Sequence, residues 1–219
     1  MPEILNETET RIIASLVEKQ MTTPEYYPLT LNALVNACNQ KSNREPVVSY
    51  DDKTVTDVLE RLRDRNLVYV FYGSNSRVPK YKHMLPSVYE LEPAEVAVMC
   101  VMMLRGPQTL GELRTRTERL FQFEGLGEIQ ETLDGLIRRD DPLVVKIDRQ
   151  PGQKEARFAQ LLNGEFDVDA FAAAVATHRV SGGGADNQRV EKLEEEVAEL
   201  RIEIESIKQT FDEFRKQFE

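Results

Sequence analysis

The stretch DDKTVTDVLERLRDRNLVYVFY, residues 51–72, changes its period halfway along. Val55, Val58, Leu59 and Leu62 recur at intervals of three and four, which puts them on one face of a helix from about Asp51 to Arg65. Leu67-Val68-Tyr69-Val70-Phe71-Tyr72 is then dense in β-branched and aromatic residues and predicts a strand. Gly73-Ser74-Asn75-Ser76 reads as a turn and Tyr81 to Leu85 as the returning strand. The same change recurs in LGEIQETLDGLIRRDDPLVVKI, residues 126–147. Val55, Leu59 and Leu62 match Ile129, Leu133 and Leu136 at a constant offset of 74, and Leu67 matches Leu143 after a two-residue insertion.

Working outward, each of these segments is preceded by two more helices. In the first half Asn6 and Glu9 form a capping box for a helix carrying Ile12, Ile13, Leu16 and Val17. Pro24 and Pro28 interrupt, and Thr30 caps a short helix with Leu31, Leu34, Val35 and Cys38. In the second half Pro93 opens a helix through Val96, Val98 and Val101 to Leu104, Gly106-Pro107 ends it, and Thr109 with Glu112 caps the next. A helix over 126–138, a strand over Leu143–Ile147, a turn at Pro151-Gly152 and a return strand from Arg157 to Leu162 complete the order. Three helices and a hairpin, twice, is the plan of two tandem winged helix-turn-helix domains, mainly α with small β wings (α+β). The expected boundaries are 1–90 and 91–163.

The run TPEYYPLTLNALVNACNQKSNREP, residues 23–46, resembles the signature of the YceH-like family of bacterial proteins, and the likeness continues to about Leu162. The resemblance implies a tandem winged-helix fold and a bacterial cytoplasmic setting. It supplies no catalytic or ligand residues.

Beyond Gly164 the composition shifts. The tail holds seven Lys/Arg against fourteen Asp/Glu, so it carries most of the net charge of -10. Phe166 to Arg179 is Ala-rich and predicts a short helix within 164–180, followed by a flexible linker over 181–187 built on Gly182-Gly183-Gly184. Val190, Leu193, Val197, Leu200, Ile204, Ile207, Phe211, Phe214 and Phe218 then alternate spacings of three and four over 188–219. That heptad pattern predicts a coiled coil. In a parallel dimer Arg189 faces Glu194, Glu196 faces Arg201 and Glu203 faces Lys208 of the second chain, all attractive, so a parallel homodimer is the expected state.

Reactive chemistry is sparse. His83 and His178 have no Cys, His or carboxylate at a ligand spacing, and Cys38 and Cys100 each lie on an apolar helical face. The expectation is therefore no enzyme, no metal, no cofactor, no membrane span, and a reducing cytoplasm. Met99, Met102 and Met103 read as core.

The partner is less legible. On the third helix the face opposite the apolar one holds Lys53, Asp57, Glu60 and Asp64; its counterpart in the second half holds Glu128, Glu131 and Arg138. Acids there would repel phosphate. Cations stand elsewhere: Lys41 and Arg44 in the signature loop, Arg77, Lys80 and Lys82 on the first wing, Arg149, Lys154 and Arg157 around the second. Arg114, Arg116 and Arg119 cluster near the second half's short helix. Two readings stand: a dimeric DNA-associated regulator that touches phosphates through loops and wings, and a protein adaptor that uses the acidic faces and the coiled coil.

Overall fold

The computed structural model describes residues 4–72, 78–149, 153–168 and 170–171. In the first half, helix α1 (Glu7–Thr22) is followed by a 3-10 turn at Pro24–Tyr26, strand β1 (Leu29–Thr30), and helices α2 (Leu31–Cys38) and α3 (Asp52–Asp64). Strands β2 (Val68–Phe71) and β3 (Lys80–His83) and a short helix α4 (Leu85–Tyr89) close it. The second half has helices α5 (Pro93–Arg105), α6 (Leu110–Thr117) and α7 (Leu126–Ile137), then strands β4 (Val144–Ile147) and β5 (Arg157–Gln160). The fold is α+β: helices with small antiparallel sheets.

The helix starts obey their capping chemistry. Asn6 accepts from the Glu9 amide while the Glu9 carboxylate accepts from the Asn6 amide, and Thr109 and Glu112 do the same for α6. Thr30 caps α2 and Asp51 caps α3. Each such cap is worth about 1 kcal/mol, enough to fix where a helix of eight residues begins.

Two elements depart from the expected reading. Tyr81 to Leu85 does not run as one strand: pairing stops at His83, and Leu85-Pro86 opens α4, with the proline near the helix start where no donor is needed. Leu29–Thr30, read only as the approach to α2, is a strand on the free edge of β3, in the order β1-β3-β2. A counterpart exists in the second half. Gln108, immediately before the Thr109 cap, exchanges both backbone hydrogen bonds with Phe158 of β5, at 2.9 and 2.7 Å. The repeat therefore extends to a third strand, reduced to a single bridge in the second half.

Residues Met1–Phe166 form one compact unit, and the two halves share a single core. Helix α5 explains why. Val96 to Leu104 is apolar without a break and all nine residues are buried. A helix apolar on every side has no solvent face and must be surrounded. Helix α1 contacts it along its length, with Cys100 Sγ donating to the Ala14 carbonyl at 3.5 Å, and α6, α7 and β5 pack on its other sides. The ends are stitched as well: the Leu5 amide donates to the Leu162 carbonyl at 2.7 Å, and Asn163 Nδ2 donates to the Leu5 carbonyl at 3.0 Å. The boundary between 90 and 91 thus separates two repeats of one unit with a common interior.

The second unit is Asp167–Glu219, and its described residues are few. The Asp167 carboxylate accepts from the Ala170 amide at 2.8 Å, as at the start of a helix. The rest of the Ala-rich segment, the linker and the heptad positions lie outside the described residues. No helix among the described residues is long and apolar enough to cross a membrane.

Candidate nucleic-acid interface

The hairpin of the first half separates its side chains by parity. Val68 and His83 pair and are buried; Val70 and Tyr81 pair and are half-buried. The alternate pairs are Tyr69 with Lys82 and Phe71 with Lys80. Tyr69 is 60% exposed, Phe71 46% and, just beyond the strand, Tyr72 66%. Directly opposed side chains lie about 5 Å apart at Cβ, so each aromatic residue has the stem of a lysine as its cross-strand neighbour. Neither lysine is in an ion pair with a carboxylate among the described residues. The outer face of this sheet pairs two exposed rings with two lysines, Lys82 exposed and Lys80 half-buried.

The inner face holds it rigid. Tyr27 packs edge-on against His83 with ring centroids 6.0 Å apart, and its hydroxyl accepts from the His83 amide at 2.8 Å. His83 Nδ1 accepts from the Leu85 amide at 3.3 Å, which ties the end of β3 to α4. Burial, assisted by the neighbouring Lys82 charge, pushes the His83 imidazole down to about 4. It is a neutral structural residue.

The exposed side of α3 is confirmed as mixed to acidic: Lys53, Asp57, Glu60 and Asp64 all face solvent. Its arginines are taken locally, Arg61 by Glu9 at 3.6 Å and Arg63 by Asp64 at 3.1 Å. In the second half Glu131 and Arg138 are exposed and Glu128 is half-buried.

The other expected contacts divide. Lys41, Arg149 and Lys154 are exposed, Lys41 in the loop between α2 and α3 and the other two in the connection between β4 and β5. Arg77 and the tip of the first hairpin lie outside the described residues. Arg157 is turned inward, ion-paired with Glu112 at 2.7 Å and donating to the Pro107 carbonyl at 2.8 Å. Arg44 is a correction. Its side chain is fully buried and pairs with both Glu18 oxygens, at 3.0 and 2.6 Å. It also donates to the Ala37 carbonyl and to Gln40 Oε1. A phosphate could reach it only by breaking this network. Burial alone would raise the Glu18 carboxyl, but the hydrogen bonds and charge of Arg44, with Lys19 behind, hold it below the usual carboxylate range.

The signature loop is thus a structural junction. Asn39 exchanges two 2.8 Å hydrogen bonds with the backbone of Tyr50, and Arg11 donates from α1 to the carbonyls of Cys38 and Pro46. The Glu45 amide donates to the Leu104 carbonyl at 2.8 Å, joining the loop to the second half. Sequence reading missed Arg11; it shares a helical face with Glu7, Thr8, Ser15 and Glu18, so its spacing gave no sign of burial. Cys38 and Cys100 are both buried free thiols, and burial pushes both up. Among the described residues no group of His, Cys, Asp and Glu could hold a metal ion.

These features are set in a fold that other chains share. The model for a family described as a protein of unknown function, DUF480, matches residues 5–153, which runs from before α1 through β4 and stops short of β5. The chain belongs to the DUF480 family. A UPF0502 protein from Pelobacter propionicus is 48% identical over 223 residues, covering all of both chains. One from Citrifermentans bemidjiense is 50% identical over 198 residues, 90% of each chain. A third, from Opitutus terrae, is 50% identical over 90% of this chain and 84% of its own. The family confirms the resemblance carried by residues 23–46.

Proposed function

We propose that this DUF480 chain is a non-enzymatic, tandem winged-helix protein that associates with DNA through the outer face of its first hairpin. The observation that carries this is the pairing of Tyr69 with Lys82 and Phe71 with Lys80 on an open sheet face. Ammonium groups supply the phosphate contacts, and rings beside them pack on sugar or on exposed base faces. The acidic outer side of α3 argues against a recognition helix in the major groove. The wing, not the helix, is the contact. The heptads at Val190, Leu193, Val197, Leu200, Ile204, Ile207, Phe211, Phe214 and Phe218 support a dimer, which would present two such wings.

Anisotropy of a labelled random-sequence duplex, titrated with the full chain from low to physiological salt, tests this. Binding is expected to weaken steeply with salt. Lys80→Ala with Lys82→Ala should reduce the log–log salt slope by about 2, one per lost phosphate contact, and Tyr69→Ala with Phe71→Ala should weaken binding without changing the slope. No binding at low salt, or an unchanged slope in the lysine variant, overturns the reading. In that case the exposed rings favour the second one, a protein adaptor, since exposed Tyr and Phe flanked by charge also make interface anchors.

A further inference from the structure

A cleft of about 290 Å³ opens on the seam between the two repeats, away from the first hairpin. Its walls come from the C-terminal end of α1, Asn43 of the signature loop, the C-terminal end of α5, and α6 with the turn after it. Three arginines line it: Arg105, Arg116 and Arg119. The one carboxylate that lines it, Glu18, is already neutralised by Arg44 at 2.6 Å.

The simplest account of these arginines is that they offset helix C-termini. Three such ends meet here, each worth about half a negative charge, so together roughly -1.5 against three full positive charges. The balance stays positive. Arg105 also meets a neutral partner, Asn43 Oδ1, and neither it nor Arg119 is ion-paired with a carboxylate among the described residues. Arg116 reaches Gln108 Oε1 and lies 3.5 Å from Glu112, whose other oxygen is held by Arg157 at 2.7 Å. The Arg105 guanidinium is held below its ordinary range, by burial first and then by repulsion from Arg116 and Arg44. Two cations without anions of their own, beside a third that shares Glu112 with Arg157, make a partly dry cleft prepared for an anion.

We propose that this cleft binds the phosphate group of a small phosphorylated metabolite, held by Arg105, Arg116 and Arg119. Guanidinium forks match phosphate oxygens in pairs, and three forks suit a dianion better than a singly charged carboxylate. The volume stands at the low end for small-molecule sites, and Val101, Leu104 and Leu120 give the remainder of the molecule an apolar wall. Residues of both repeats line the cleft, so a bound ligand couples the first repeat to the second at the junction the signature loop already fastens.

Calorimetric titration of the full chain with inorganic pyrophosphate tests this, beside Arg119→Glu and Arg105→Ala. Arg119 is exposed, so its reversal leaves the packing intact. Saturable binding by the native chain is expected, weakened at least tenfold in both variants and unchanged in Lys80→Ala with Lys82→Ala, together with a higher unfolding midpoint. Equal binding in all variants would mean an adventitious ion only. If pyrophosphate does not bind while Arg119→Glu impairs duplex binding, the arginines hold backbone phosphate, and the metabolite site is overturned. The DNA reading is judged on the hairpin variants and stands or falls separately.

Discussion

His83 shows how one buried side chain can set a pH response for the whole unit. It is 3% exposed, its Nε2 has no hydrogen-bond partner among the described residues, and its pKa is about 4 against an ordinary 6.5. The depressed value means the folded chain refuses a proton that the unfolded chain takes. Stability is therefore whole above about pH 6.5 and is lost as pH falls from there toward 4. A shift of that size corresponds to roughly 3 kcal/mol over the interval, as an upper figure. Urea midpoints measured from pH 7 to 4 should fall, and His83→Phe should flatten this part of the profile, at a cost of about 1–3 kcal/mol at pH 7 for the Leu85 amide left without its acceptor. An unchanged slope in the variant would assign the acid sensitivity to carboxylates. Nothing in the spacing of His83 disclosed this role. Its only sequence signal was position: parity places it on the same side of the hairpin as Val68, facing inward.

At the scale of elements, what local chemistry decides was legible and what tertiary contact decides was not. Asn6 with Glu9, Thr30, and Thr109 with Glu112 mark helix starts because a cap needs only residues three positions apart. The strand at Leu29–Thr30 is two residues long and exists only because β3 offers a free edge, so no periodicity could announce it. Arg44 failed for the same reason. In a loop of Asn, Ser and Pro it reads as a solvated cation, whereas its partner Glu18 is 26 positions away on α1. This ion pair holds the α2–α3 loop onto α1, and its removal from one side leaves a charge without a partner. Arg44→Ala should cost about 3–5 kcal/mol, seen as a lower urea midpoint. Adding Glu18→Gln should restore part of the loss, because the stranded carboxylate is gone. If the double variant is no more stable than Arg44→Ala, the hydrogen bonds from Arg44 to Ala37 and Gln40 matter more than its charge pair.

At the scale of the whole molecule, the halves and the tail have opposite charge logic. Residues before Gly164 hold 21 basic and 24 acidic side chains, nearly balanced, while the segment after it carries twice as many acids as bases. A net charge of -10 therefore describes the tail more than the paired repeats, and over distances beyond a Debye length, about 8 Å, it does not silence a local cationic face. On the proposed reading the tail contributes valence instead. If the heptads pair two chains in parallel, the Arg189–Glu194, Glu196–Arg201 and Glu203–Lys208 contacts between chains are attractive in that orientation alone. The full chain should sediment at twice 25.1 kDa, and a chain ending at Val180 at its monomer mass. Glu196→Lys should loosen the dimer, and Glu196→Lys with Arg201→Glu should restore it, since the swap recreates the same contact with reversed signs. The two hairpins of a dimer would then bind one duplex with an effective concentration set by the linker, so the shortened chain should lose affinity by far more than the salt slope of a single hairpin explains. A full chain that sediments as a monomer would remove the second hairpin from the account and leave each chain to bind by Lys80 and Lys82 alone.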